Sequence, residues 1–469
     1  MPKKYSIHAH KTDPRFPPIG KYATVEFRED CAGSCRQCVK KRCVFHIFRD
    51  NFTHWSTMSE PEYLYTCKSC YRCVEECTKG IFSLAINPEY RTLGDDYWKA
   101  GIINSTWAQA HTGSIPVSGA GYRGPFAAEG FDSIWTDMSE IVRPTRDGIH
   151  GREYINTMVE LSKRPMRLQF NPDGTLASEE APVLEIPLPV VLQQPAFGVL
   201  SKTVLLAMAA AASSVGTLLF IKAEEYTPFF SPYAAHLVPC VTKDTYARYA
   251  DLIKGSRMVE IAYGPGLDEA LSGLKAINPD LFIAVGLPLD SAAAGRAGEL
   301  ARTCVDTLHL TGSDYGREVG TDDPRHLKDM IRDVHLALVG NRIRHRINLV
   351  FSGGIALAEH VAKSLICGAD AVGIDLPLLI ALECRLCKRC TQGKRCPVKL
   401  EAVELDWGKN RIVNLLAAWH NQLLEVMGAC GIREARRMRG ELGRSMWFDD
   451  LERDSFGPVF GKRKVTGIG

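Results

Sequence analysis

The sequence carries almost no net charge. Its 57 Lys and Arg residues face 54 Asp and Glu in 469 residues, a formal +3, so nothing in the balance calls for nucleic acid, whose binding needs a concentrated basic face. It also lacks a clean apolar run of membrane length. The nearest, Val204 to Ile221, holds Ser213, Ser214, Gly216 and Thr217 in its second half and reads as an Ala-rich helix followed by a short strand. No basic, apolar and small-residue triplet opens the chain, which argues against a secretory signal and leads to the expectation of a cytoplasmic protein with reduced thiols. No dinucleotide-binding Gly-x-Gly-x-x-Gly stands out after a strand, so a nicotinamide cofactor would need a partner subunit. Disorder is excluded by 45% hydrophobic against 24% charged residues, the balance of a folded globular chain.

What the sequence has in excess is cysteine, 16 in all. Cys240, Cys304, Cys367 and Cys430 are scattered through apolar stretches as small hydrophobes. The other twelve fall into three clusters. Cys67, Cys70, Cys73 and Cys77 give Cys-x2-Cys-x2-Cys-x3-Cys, a spacing that wraps three thiolates around one cubane and sends the fourth to a second. Cys31, Cys35, Cys38 and Cys43 form a slightly stretched version. Together they match a dicluster ferredoxin module with two [4Fe-4S] clusters. A pair of zinc sites is the competing reading, but zinc uses paired cysteines or Cys with His rather than four Cys in so short a run. The third group, Cys384, Cys387, Cys390 and Cys396, is set among Arg385, Lys388, Arg389, Lys394 and Arg395. It predicts a third [4Fe-4S] or [3Fe-4S] cluster, whose potential nearby positive charge would raise.

Composition divides the chain into an iron–sulfur domain over 1–95, an irregular connecting segment over 96–185 that covers a site, a barrel over 186–400 and a helical extension over 401–469. From residue 186, short apolar runs alternate with helix-like stretches. The runs are Leu188–Leu192, Thr217–Ile221, His236–Val241, Met258–Ala262, Leu281–Val285, Thr307–Leu310, Asn348–Phe351 and Ala371–Ile374. Such runs read as parallel strands buried on both faces. The fold class expected is therefore α/β, a (β/α)8 TIM barrel preceded by a small ferredoxin-like domain, with an open doubly wound sheet as runner-up. Arg411–Gly428 and the basic Ile432–Gly443 are expected as helices, the arginines of the second forming a solvated face or subunit contact.

Barrel enzymes often hold a phosphate with the loops after strands seven and eight. Here those positions carry Ser352-Gly353-Gly354 and Gly373. Beside iron–sulfur clusters the phosphate most usefully belongs to FMN, which converts one-electron into two-electron chemistry. His111, His150, His236, His309 and Asp314 lie near strand or loop ends; type alone assigns no catalytic role to the histidines.

These residues together resemble a known family. The run Met138-Ser139-Glu140-Ile141-Val142-Arg143-Pro144-Thr145-Arg146-Asp147-Gly148-Ile149-His150-Gly151-Arg152-Glu153-Tyr154, Gly198-Val199-Leu200-Ser201, Ser352-Gly353-Gly354 with Gly373, and Cys384, Cys390 and Cys396-Pro397 resemble the archaeal-type, FMN-binding glutamate synthase-related proteins with an N-terminal ferredoxin module. The resemblance implies FMN at the barrel mouth touching Gly198, Ser201, Ser352, Gly353, Gly354 and Gly373, a cluster beside it, and electrons delivered to an imine of a 2-oxoglutarate-like small molecule. Family members bind a [3Fe-4S] cluster with three such cysteines, so the extra Cys387 points to a [4Fe-4S] one.

The departures also matter. Where the family reads Gln-Gly-Ala-Lys-Pro-Gly, this chain has Glu260-Ile261-Ala262-Tyr263-Gly264-Pro265-Gly266. The family's second lysine falls at Gly286, and its His-Asp-Gly-Gly-Thr-Gly loop becomes Ser313-Asp314-Tyr315-Gly316-Arg317-Glu318. A dicarboxylate needs cations. Lys222, or Arg317 in its place, is the candidate to supply one, and Lys222 and Asp314 are the candidate catalytic residues. The start Met1-Pro2-Lys3-Lys4 offers no N-terminal cysteine nucleophile, so ammonia release from glutamine would fall to a glutaminase subunit. The expectation is an iron–sulfur flavoprotein acting on CH–NH2 groups, fed by ferredoxin or a reductase subunit and working as an oligomer or complex subunit. The alternative is a non-catalytic FMN and iron–sulfur electron-transfer subunit.

Overall fold

A computed structural model describes residues 182–461 without a break and, before them, 5–16, 19, 23–27, 35, 38, 43–44, 70–86, 90–115, 130–136, 155–162 and 170–177. Eight parallel strands close into a barrel. They are β1 (Val190–Gln193), β2 (Leu219–Lys222), β3 (Leu237–Val241), β4 (Met258–Ala262), β5 (Phe282–Pro288), β6 (Thr307–Thr311), β7 (Asn348–Ser352) and β8 (Ala371–Ile374). Closure is made by β8 pairing β1, with Val372 opposite Val190 and Ile374 opposite Leu192. Each strand coincides with an apolar run of the sequence, because barrel side chains alternate between a filled interior and the surrounding helices. All five residues of β7 are buried.

The helices relevant to the site are α1 (Ala100–Thr112), α2 (Lys202–Val215) after β1, α3 (Ala358–Cys367) after β7, α4 (Leu376–Ala381) after β8 and α5 (Leu405–Ala429). The Val204–Ile221 run is α2 followed by β2, joined through Gly216 at φ 87°. Among the described residues no helix is long and apolar enough to cross a membrane. Three features differ from expectation. The crossover after β2 is a 3-10 segment, Pro228–His236, in which Pro232 lies inside the helix and cannot donate the hydrogen bond an α-helix needs there. The segment expected to be irregular contains α1, whose Ile102, Ile103, Trp107 and Ala110 are buried. Ile432–Gly443 is not a helix: it breaks into 3-10 turns at Ala435–Met438 and Leu442–Arg444, with Gly431 and Gly440 at positive φ. Nor are its arginines all solvated, since Arg439 pairs with Asp370 at 2.7 Å and Arg436 with Glu160 at 3.3 Å.

The chain packs against the bottom and one flank of the barrel. At the bottom, Leu161 and Ser162 offer carbonyls to Thr307 Oγ1 and Asn348 Nδ2, at the first residues of β6 and β7. Beside them Asp370 accepts from Arg344 at 2.6 Å and from the Leu349 amide at 2.8 Å. Burial alone would raise the Asp370 carboxyl, but Arg344 and Arg439 outweigh it and hold it below the ordinary value. On the flank, residues 5–16 form a strap across α1 and α5. Asn414 of α5 accepts from His10 N–H at 2.8 Å and donates back to the His10 carbonyl at 2.7 Å, while Trp407 donates to the Asp13 carbonyl at 2.9 Å. The strap ends on Arg15, paired with Glu383 at 3.4 Å.

Between residues 23 and 86 the described elements are an antiparallel pair, Ala23–Phe27 against Phe82–Ile86, and a helical turn, Arg72–Glu75, between Cys70 and Cys77.

Candidate functional site

The cysteine loop follows α4 at the C-terminal end of the barrel. Cys384, Cys387, Cys390 and Cys396 line one cavity with Phe197, Gly198 and Val199 from the loop after β1. The backbone is wound to turn the sulfurs inward: Glu383, Leu386 and Lys388 all lie in the left-handed region, at φ 75°, 47° and 52°. Non-glycine residues hold that conformation only when their surroundings fix it. Here Arg15 fixes Glu383, and Lys388 is held at 2.9 Å by Asp95 and at 2.5 Å by Tyr315. Burial, with Cys396, Cys387 and Cys390 close by, pushes the Cys384 thiol up to about 12. Four convergent sulfurs in a half-buried cavity are a donor set for a thiophilic metal centre, since a metal removes the protons that burial otherwise retains.

The same chemistry is visible at Cys77. Burial would raise its thiol, but the backbone N–H groups of Ile81, Lys79, Gly80 and Phe82 outweigh it and bring it below the ordinary value. Converging amides of this kind stabilise a thiolate. Cys35, Cys38, Cys43, Cys70 and Cys73 form no disulfide among the described residues; Cys31 and Cys67 lie outside the described residues, as do the 138–154 run and His150.

The barrel mouth holds a buried polar network. His309 on β6 shares one hydrogen bond with Glu260 on β4 and another, at 2.5 Å, with Ser352 on β7. His309 and Ser352 are buried, while the Glu260 side chain keeps 15% of its surface exposed. Glycines make room for it: a Cβ on Gly286 would sit 3.2 Å from the Glu260 carboxyl carbon, and one on Gly373 would strike Ser352 Oγ. The Gln193 Oε1 close to Gly373 is buried without a partner. Nothing in sequence spacing announced this network; His309 was visible only as one histidine among several.

The remaining predicted residues are scattered. Lys222 is exposed on the rim, 4.0 Å from Glu224, and its N–H donates to Gln194 Oε1. Asp314 is half-buried at the mouth, its carboxyl raised by burial and by Asp95 against the pull of Lys388. Arg317 donates to the Pro324 carbonyl at 3.4 Å. Ser201 caps α2, accepting from the Val204 amide at 3.3 Å. A Cβ on Gly198 would meet Leu379 at 2.8 Å. Gly353 and Gly354 are closely packed on their side-chain face. A Cβ on Gly353 would lie 2.7 Å from the Gly312 and Ser313 carbonyls, and one on Gly354 would strike Gly316. These glycines admit a neighbouring loop of the chain. His111 pairs with Asp13 at 3.1 Å and His236 with the Thr217 carbonyl at 2.9 Å, away from the mouth.

Comparison with known proteins bears on this geometry. The sequence pattern described as the conserved region in glutamate synthase matches residues 248–433, from within the connection between β3 and β4 through the cysteine loop and α5. The archaeal-type glutamate synthase (NADPH) of Dehalococcoides mccartyi is 24% identical over 473 residues, spanning 88% of this chain and 92% of that one. The chain is thus similar to archaeal-type glutamate synthases over most of its length. The archaeal glutamate synthase (NADPH) of Archaeoglobus fulgidus is likewise 24% identical, over 92% of this chain and 96% of its own. The flavin-binding domain of baker's yeast flavocytochrome b2 has a TM-score of 0.43 at 11% identity, covering 81% of this chain and 88% of that one.

Proposed function

We propose that this chain is an iron–sulfur oxidoreductase of the glutamate synthase type, acting on a carbon–nitrogen bond. The observation that carries the reading is the cavity at the barrel mouth lined by Cys384, Cys387, Cys390 and Cys396, in a chain related end to end to archaeal-type glutamate synthases. Those four thiolates fit a [4Fe-4S] cluster, which supplies one-electron transfer; the eight cysteines of 31–77 are the proposed sites of two more. Kinship also supports a flavin in the mouth, which would supply conversion between one- and two-electron chemistry. The fit of the mouth to that group is divided: the orphaned Gln193 Oε1 offers a polar contact to a ring N–H, whereas the expected phosphate glycines are packed against the chain.

The protein's own groups then act on the substrate. Reducing an imine requires a proton at nitrogen, and Glu260 is the partly exposed end of a hydrogen-bonded relay whose buried part is His309 and Ser352. Asp314 and Glu260 make the mouth acidic, and Lys222 stays on the rim, so the arrangement favours an imine or iminium over the dicarboxylate of 2-oxoglutarate. Electrons from ferredoxin or a reductase subunit, and ammonia from a glutaminase subunit where glutamine is the source, complete the proposed reaction.

The test is metal and flavin content of anaerobically prepared protein, followed by turnover of imine-forming substrates with a reduced electron donor. About eight to twelve iron atoms per chain are expected, about four of them lost in Cys384→Ser. Zinc without sulfide would sink the proposal.

A further inference from the structure

The polar network in the barrel mouth has a closed end and an open one. Ser352 and His309 are 0% and 1% exposed, while the Glu260 side chain keeps 15% of its surface. Glu260 on β4 reaches His309 on β6 over Gly286, which stands opposite His309 on β5. Each buried polar hydrogen needs an acceptor. Among the described residues the Ser352 hydroxyl has one side-chain partner, His309 Nε2 at 2.5 Å; the nearby Gln193 Oε1 is without a partner and so takes nothing from it. Ser352 therefore donates to Nε2, which leaves the ring hydrogen on Nδ1, where it donates to the Glu260 carboxylate. Either other state of the ring, imidazolium or the Nε2–H tautomer, would aim an N–H at Ser352 and strand the hydroxyl hydrogen in the interior.

The groups around the network bear on its charge. Cys240, opposite Glu260 on β3, stays a neutral thiol, pushed up by burial and then by the Glu260 charge. Lys222, opposite Cys240 on β2, lies on the rim 4.0 Å from Glu224. The Phe220 ring is 4.9 Å from that of His309, and Asp375 faces both His309 and Asp314. Asp375 favours a charged imidazole; burial and the stranded hydroxyl oppose it. We propose that Ser352 is a positioning residue that locks His309 as its Nδ1–H tautomer, so that the pair shows one net negative charge to the mouth through Glu260 and the site takes its substrate as a cation, an ammonium or iminium ion, rather than as a carboxylate. The inference rests on the proposed function and narrows its substrate class. Glu260 takes a proton from the substrate nitrogen or returns it there, and the end closed by Ser352 exchanges none.

The experiment uses the full chain, oxidised and loaded with its clusters. Nitrogen-15 resonances of labelled histidine, with those of His309 identified by their absence from His309→Gln, show the Nδ1–H tautomer in the wild type. In Ser352→Ala no hydroxyl is stranded, and the ring moves toward imidazolium. Calorimetric titration with n-butylammonium chloride and with sodium butyrate, probes of similar length and opposite charge, reads the second half. Wild-type protein binds butylammonium about tenfold or more tighter than butyrate. Glu260→Gln keeps an acceptor for His309 and loses the charge, weakening butylammonium binding by about tenfold or more, and Ser352→Ala lowers the preference by about threefold or more. Wild-type His309 seen as imidazolium or as the Nε2–H tautomer overturns the inference whether or not the variants fold. So does a ring unchanged in Ser352→Ala, butyrate bound as tightly as butylammonium, or binding of neither probe. These readings need no turnover, so their failure is separate from that of the proposed function, which falls on metal content and on turnover.

Discussion

Replacing Asp375 with Asn should make the protein more stable, and by an amount that depends on pH. In the fold, burial first and the neighbouring Asp314 second raise its carboxyl from 3.8 to about 6. Ionising it there costs about two pKa units, or about 3 kcal/mol, relative to the unfolded chain. The sign follows from proton uptake: between the unfolded and folded values the native state holds more protons, so this group adds stability as pH falls and removes it as pH rises. Asn keeps the hydrogen bond from Leu376 and carries no charge. The variant should therefore gain about 3 kcal/mol at pH 8 and only about half as much at pH 5, where the native carboxyl is mostly protonated. Denaturant unfolding of cluster-loaded wild type and variant at the two pH values, with iron content matched, reads this directly. A variant no more stable than wild type at pH 8, or a gain that is the same at pH 5, would refute the reasoning.

Three further outcomes are expected. Asp370→Ala strands Arg344 in the interior and should cost about 3–5 kcal/mol; because the Asp370 carboxyl lies below its ordinary value, that cost is present above about pH 4 and shrinks as stronger acid protonates it, which unfolding at pH 7 and at a pH below about 4 checks. Gly353→Ala places a Cβ 2.7 Å from two backbone carbonyls at φ 98°, so it should lower the thermal midpoint or prevent folding, whereas Gly393→Ala, with open space around it, should cost about 1 kcal/mol for its positive φ alone. Lys388→Met removes a cation from the cysteine loop and should lower the potential of the cluster held there, measured by a redox titration followed by electron paramagnetic resonance; an unchanged or higher potential would contradict the assignment.

The barrel could be read in the sequence because strands buried on two faces leave short, nearly continuous apolar runs, and β4 and β8 fall where Met258–Ala262 and Ala371–Ile374 mark them. The cysteine loop was equally legible, since ligand spacing is a local property. The Glu260, His309 and Ser352 network was not. Its members sit 49 and 43 residues apart, and only closure of the barrel brings the ends of β4, β6 and β7 together. The phosphate glycines show a different limit: glycine reports that something approaches the backbone closely, and at Gly353, Gly354 and Gly373 what approaches is a loop and a serine of the same chain. Asp375 escaped notice because an acidic helix cap is among the commonest of local signals.

The strap of residues 5–16 ties the beginning of the chain to α5. His10 and Asn414 are 404 positions apart, so on the ribosome the strap lacks its α5 partner until the whole barrel has been made. At about 5–20 residues per second that wait is about 20–80 s. Because Arg15 at the end of the strap holds Glu383 beside Cys384, the third cysteine site takes its final shape only once the strap can dock on α5, after the eight barrel strands have been made.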